Sequence, residues 1–221
     1  MKKVQLLLLG SLVLLVTNCS EDGNNTNTEG DGSAAFIART TIPDVAFERA
    51  LIDLGIDDVE DGSVVTSDIE EVTSLVMNDK GITSLSGIGA FPLLENLSVN
   101  DNLLSTVDLS GNTLLKFVYI ENNGLTSITV DNLTILEKLS LTNNSLSQLD
   151  LTDNASLQLL GLANNELGSI DISMVPSSIQ LNTFSVANNP LTCIKVNQAI
   201  LGNIPSQWVK DAEDSYALDC N

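Results

Sequence analysis

The chain has 221 residues and a formal charge of −20, from 29 acidic and 9 basic side chains, with no histidine at all. That acidity repels nucleic acid and anionic membrane surfaces, so neither is expected as a partner. The missing histidine removes every Ser-His and Cys-His nucleophile arrangement and every histidine metal ligand, and no metal or cofactor is expected. Apolar residues reach 43% while aromatic ones are only 4%, which suits a core of stacked Leu, Ile and Val.

The amino terminus reads MKKVQLLLLGSLVLLVTN. Lys2 and Lys3 form a positive start, and Val4 to Val16 is an apolar run of signal-peptide length, too short to span a bilayer comfortably. Cys19 follows at once, then SEDGNNTNTEGDGS. This order resembles a bacterial lipoprotein signal, with Asn18 standing where a small residue is usual. The resemblance implies a signal peptide over 1–18, lipidation of Cys19, and membrane anchoring through that lipid at the bacterial outer membrane or cell surface. Glu21 and Asp22 also resemble the surface-export signal of Bacteroidetes lipoproteins. Residues 19–35 have no apolar pattern and are expected to be a flexible tether. Lipidation would take Cys19 out of the three cysteines and leave Cys193 and Cys220 as a pair.

Residues 36–71 are expected to be an amino-terminal cap. Thr40 to Gly55 reads TTIPDVAFERALIDLG. Pro43 suits a first helical turn, Asp44 lies near the positive helix end, and Gly55 is a natural stop. Phe47, Ala50, Leu51 and Leu54 fall on one apolar face of a helix. IPDVAFERALIDLGID ahead of a leucine-rich array resembles the cap of flavobacterial leucine-rich repeat proteins, which implies a structural role. Asp57, Asp61, Gly62 and Asp68 fall at positions one, five, six and twelve of a calcium loop, but Val59 occupies position three and cannot ligate; an acidic turn is expected instead.

Residues 72–192 repeat. Leu94, Leu115, Leu136 and Leu157 open successive copies at a constant 21-residue spacing, and Val72 and Leu181 open less regular flanking copies. A fixed period in this range predicts a solenoid. Each copy contains L-x-x-L-x-L-x-x-N-x-L, so the chain resembles a leucine-rich repeat protein of the bacterial, flavobacterial type. The x-L-x-L-x part predicts a short strand with Leu97 and Val99, Val118 and Ile120, Leu139 and Leu141, Leu160 and Leu162, and Phe184 and Val186 facing inward. Stacked copies would make a parallel sheet on the concave face. Asn102, Asn123, Asn144, Asn165 and Asn189 form a column whose amides can satisfy backbone groups within and between coils; Lys80 takes that place in the first copy. The second half of each copy, such as Leu104-x-x-Val107-x-Leu109, predicts short extended segments on the convex side. The expected fold is mostly β, a leucine-rich repeat solenoid of about six coils.

Residues 193–221 are expected to be a carboxyl-terminal cap, with a short helix over 197–201 and the single tryptophan, Trp208. A Cys193–Cys220 disulfide would close it, and it resembles the terminal cap of the flavobacterial proteins.

Function is expected from the outward columns. The first is Ser74, Asn96, Phe117, Lys138, Leu159 and Thr183; the second is Val76, Ser98, Tyr119, Ser140, Gly161 and Ser185; the third is Asn78, Asn100, Glu121, Thr142, Ala163 and Ala187. Phe117 and Tyr119 stand out as outward aromatics, and with Glu121 and Lys138 they define a candidate ligand-binding patch. The expected role is a non-enzymatic, monomeric surface module that binds a protein or glycan. The alternatives are a spacer lipoprotein without a ligand and a carboxylate-based glycan-acting enzyme.

Overall fold

A computed structural model describes residues 37–176 and 181–220. The signal over 1–18, Cys19 and the tether over 19–35 lie outside the described residues. In chain order the elements begin with β1 (Arg39–Thr41), α1 (Val45–Asp53), β2 (Ser63–Val65), α2 (Thr66–Ile69), β3 (Ser74–Val76), β4 (Asn96–Ser98) and β5 (Thr106–Asp108). Then come β6 (Phe117–Tyr119), β7 (Ser127–Thr129), β8 (Lys138–Ser140), β9 (Leu159–Gly161), β10 (Ser169–Asp171) and β11 (Thr183–Ser185). The chain closes with β12 (Cys193–Lys195), α3 (Gln198–Leu201) and β13 (Tyr216–Ala217).

The fold is a leucine-rich repeat solenoid. β3, β4, β6, β8, β9 and β11 form one six-stranded parallel sheet in the order of the copies. Its register pairs Ser74 with Asn96, Asn96 with Phe117, Phe117 with Lys138, Lys138 with Leu159, and Leu159 with Thr183. The first two columns expected from the repeat are therefore columns of the sheet, and the third follows just after the strands. One coil shows how the period builds the core: Leu115, Val118, Ile120, Leu125 and Val130 are all buried. Each buried aliphatic side chain stabilises by roughly 1.5–3 kcal/mol, and the next coil supplies the same set.

The asparagine column closes the turn after each strand. Asn144 Nδ2 donates to the carbonyls of Ile120 and Leu141, at 2.8 and 3.0 Å, while its Oδ1 accepts from the Leu125 N–H at 3.0 Å. Asn102, Asn123, Asn165 and Asn189 make the same kind of bonds across coils. These amides replace the sheet partners that the turning backbone has lost.

Two further asparagine columns were not expected from the repeat. Asp101, Asn122, Asn143, Asn164 and Asn188 all have positive φ, and each Asn amide donates to the side chain one coil back. Asn and Asp tolerate that backbone conformation better than other side chains. The second column alternates: Asn112, Leu133, Asn154, Val175. Asn112 and Asn154 are buried, and their Nδ2 groups bond the carbonyls of Ile88 and Phe91, and of Val130 and Leu133.

The opposite side carries the expected short extended segments, except in the first copy, where residues 82–87 form no strand, and at 148–150. β5 pairs with β7, β10 pairs with β12, and β12 pairs in turn with β13. The segment 148–150 between them forms no ladder, and a groove of about 770 Å³ opens there. Val107, Ile128, Ile170 and Ile194 centre the paired strands, whereas Leu149 stands in the gap. The β-branched residues favour the pleated backbone and leucine does so less.

The amino-terminal cap differs from expectation in three ways. The helix is shorter than Thr40–Gly55, because Arg39–Thr41 is a strand paired antiparallel with β2. Pro43 precedes the N-cap instead of entering the first turn, and Asp44 itself caps, its Oδ1 accepting from the Phe47 N–H at 2.8 Å. Leu54 is 45% exposed and leaves the apolar face, since it is the C-cap of a turn closed by Gly55. There the Gly55 N–H bonds the Ile52 carbonyl and the Ile56 N–H bonds that of Leu51, a left-handed glycine exit. Phe47, Ala50 and Leu51 are buried as expected. Glu48, 1% exposed, is buried beside them. Its Oε1 accepts from the N–H groups of Asp61, Gly62 and Ser63 at 2.6–3.0 Å, which shapes the acidic turn. Asp61 is held by Arg39, and Asp68 lies in α2. Gly87, at φ +101, admits the cap against the first coil, because a Cβ there would stand 2.6 Å from the Thr41 carbonyl oxygen.

At the far end, Val209 bridges Ser185 in parallel and extends the six-stranded sheet by one step. The Trp208 ring packs edge-on against Phe184, with centroids 5.0 Å apart, and its Nε1–H donates to the Leu181 carbonyl. Asn197 caps α3 through the Ile200 N–H. The Cys193–Cys220 disulfide is formed, with Cα atoms 5.7 Å apart.

Candidate ligand-binding face

The outward residues of the six-stranded sheet are set by strand alternation, and exact register carries each across to the next coil. Phe117 and Lys138 are direct partners on β6 and β8, as are Tyr119 and Ser140. The structure brings Phe117 and Lys138 into contact: the ammonium sits 5.0 Å from the ring centroid, within cation–π range. Glu121 is held separately. Its Oε1 accepts from the Ser140 hydroxyl, and its N–H donates to Asn100 Oδ1 at 2.7 Å. Phe117 and Tyr119, expected as exposed aromatics, are both half-buried, because neighbouring coils stand close on either side.

Polar groups outside the expected patch complete the face. Asn78 Oδ1 accepts from the Ser98 hydroxyl and from the Asn100 N–H, each at 2.8 Å. Ser140 is only 6% exposed, packed beside Gly161, where a Cβ would come within 2.7 Å of its oxygen. The columns make these side chains neighbours once the register is known, but the period does not say in which direction each amide or hydroxyl points. Glu121 is the only carboxylate and Lys138 the only cation among the outward column residues.

The other carboxylates of interest lie on the opposite side. The Ser110 side chain and backbone hold the Asp108 carboxyl below its usual range. Thr152 does the same for Asp150, through both N–H and hydroxyl, against a small opposing effect of Asp171. Burial pushes Asp171 upward, but Ser173 and the Lys195 ammonium, 2.9 Å away, outweigh it and leave the carboxyl lowered. Among the described residues no group of three or more Cys, Asp or Glu side chains is arranged to hold a metal ion. No helix among them is long and apolar enough to cross a membrane.

The fold and face define a leucine-rich repeat module, and comparison with solved structures agrees. The chain is similar to the functional domain of InlJ from Listeria monocytogenes at 22% identity and a TM-score of 0.60, over 82% of this chain and 48% of that one. It is also similar to the internalin InlF from Listeria monocytogenes at 22% identity and a TM-score of 0.58, over 80% of this chain and 56% of that one. The chain thus spans about half the length of these two solved structures. At this identity the likeness is one of fold. No family model and no curated protein matches the sequence.

Proposed function

We infer that the protein is a non-enzymatic recognition module that binds a protein or glycan through its six-stranded face. It works as a monomer, held at the bacterial outer membrane or cell surface by a lipid on Cys19. The observation that carries the reading is the unbroken parallel face with Phe117 and Tyr119 half-exposed at its middle. Such a surface offers extended contact without a reactive centre, and aromatic anchors supply a large share of binding energy in many interfaces.

The carboxylate-enzyme alternative has less support. A general acid must stay protonated near neutral pH, which requires a raised pKa. Asp108, Asp150 and Asp171 are shifted the other way. Glu121 has no carboxylate partner among the outward column residues.

Capture of cell-surface ligands by the full chain, compared with a Phe117→Ala/Tyr119→Ala variant, tests the face. The expected result is a ligand retained by the native chain and lost by the variant. Equal capture by both removes the patch from the binding surface. Mass spectrometry of the isolated protein for a lipid-modified Cys19 tests the anchor independently.

A further inference from the structure

The six-stranded face carries a row of polar groups whose directions are fixed. Asn78 Oδ1 and Asn100 Oδ1 each accept a backbone N–H, from Asn100 and Glu121 respectively. Only an oxygen can accept from those N–H groups, so the orientation of both amides is determined. Both Nδ2 groups remain without a partner among the described residues, as does Glu121 Oε2, because the Ser140 hydroxyl takes Oε1. Three successive coils thus present donor, donor and acceptor in one column, about 4.8 Å apart at strand spacing. Tyr119 stands in the adjacent column, and its hydroxyl is also unpartnered among the described residues. The row is held by internal hydrogen bonds, so little side-chain freedom is lost when a ligand docks.

Charge selects the class of ligand. The chain carries −20, yet the outward columns carry one negative side chain, Glu121, and one positive, Lys138. A basic partner finds its complement elsewhere on the molecule, and an anionic one is repelled by the chain as a whole. The face itself matches an uncharged ligand. Peptide backbone presents alternating donors and acceptors along an edge, which fits two successive donors poorly. Sugar hydroxyls both donate and accept and fit any order.

We propose that this face binds an uncharged oligosaccharide, with its hydroxyls on Asn78, Asn100 and Glu121 and one sugar ring packed against Tyr119. The proposal rests on the preceding reading of the face as the binding surface. Two isosteric variants test it. Asn100→Asp keeps the acceptor for the Glu121 N–H but replaces the free donor by an oxygen. Glu121→Gln keeps the acceptor for Ser140 but turns the free oxygen into a donor.

The full chain and its variants are applied to immobilised neutral glucan, mannan and galactan oligosaccharides, to sialylated and sulfated ones, and to basic peptides. The expected result is binding to a neutral oligosaccharide, weakened about tenfold or more by Asn100→Asp, Glu121→Gln and Tyr119→Ala. The thermal midpoints of the two isosteric variants should stay at the native value. Binding only to charged probes, no binding to any sugar, or neutral binding indifferent to all three substitutions overturns the proposal. The face and the ligand class are separable. A captured protein that Phe117→Ala/Tyr119→Ala releases, with no sugar bound, overturns the oligosaccharide and retains the face. A sugar that shields a different surface from hydrogen exchange overturns both.

Discussion

Asp44 and Thr83 are joined across the boundary between the cap and the solenoid. Asp44 Oδ1 caps α1, while Oδ2 accepts from the Thr83 N–H and hydroxyl and from the Ser84 N–H. One carboxylate therefore ends the helix and fastens it to the first coil. Leu75 and Met77 of that coil are fully buried. Without the cap an end coil of a solenoid exposes its apolar residues.

Replacing Asp44 by Ala removes a helix cap and leaves three other donors without their acceptor. The cap alone is worth about 1 kcal/mol, and the stranded donors add a comparable amount. A loss of about 2–3 kcal/mol is expected in urea unfolding. Hydrogen exchange should rise first at 83–84 and along α1, and a uniform rise through all coils would contradict the local role.

Glu48 gives a sharper contrast. Glu48→Ala strips one acceptor from three N–H groups of the turn at 61–63, and a loss of about 3 kcal/mol is expected. Glu48→Gln retains an acceptor oxygen in the same place and should recover more than half of that. Thermal unfolding of the two variants side by side decides it; equal losses would mean that the charge matters and the acceptor geometry does not.

These two acids also mark where the sequence was legible and where it was not. The leucine and asparagine columns could be read directly, because a solenoid interior demands the same side chain at the same place every coil. Strand register then followed from the 21-residue spacing, and so did the outward columns. Glu48 could not be found that way. It sits next to Phe47 on an amphipathic helix, and only the return of the chain at 61–63 gives a buried carboxylate its partners. The column of Asn122, Asn143 and Asn164 was visible as a repeated doublet, yet its positive φ depends on backbone geometry that no spacing states. In the candidate site, Phe117 and Tyr119 were legible as outward aromatics. The Lys138 contact and the Asn78–Asn100–Glu121 row depend on side-chain direction, which the period leaves open.

The two neighbouring asparagine columns should behave differently. Asn144→Ala deletes bonds to two carbonyls and one N–H inside the stack, and a loss of about 2–3 kcal/mol is expected. Asn143→Gly keeps the left-handed backbone and removes only exposed amide contacts, so its cost should stay within about 0.5 kcal/mol. Chemical denaturation of both variants checks the order. A larger cost at position 143 would show that the exposed ladder carries the stability.

Acid should weaken the fold through the lowered carboxylates. For Asp44, burial acts upward but is outweighed by the bonds from Thr83, Phe47 and Ser84; for Asp150, Thr152 lowers it. A folded pKa below the unfolded value, about 3.9 for Asp, means stabilisation that is present above the unfolded pKa. It is lost as pH falls through the folded pKa. Protonation also relieves the repulsion of an acidic chain, so the raw pH profile mixes two effects. Asp150→Asn separates them. Its urea midpoint should lie below the native one at pH 7, and the gap should close as pH falls through the folded pKa, whereas an offset that stays constant through the acid range would assign the effect to packing.

Breaking the disulfide should act on one end of the solenoid. Cys193 and Cys220 are separated by 27 residues, and a loop of that length implies about 3.5 kcal/mol in the chain-entropy description. A Cys193→Ser/Cys220→Ser variant should lose that order of stability, but unevenly, since each coil touches only its neighbours. Trp208 is the single tryptophan and lies in the cap against Phe184. Its fluorescence should therefore change at lower urea than the far-ultraviolet circular dichroism of the sheet, while the native chain shows the two transitions together. If the transitions still coincide in the variant, the terminal cap and the solenoid unfold as one unit, and the bridge stabilises the whole array.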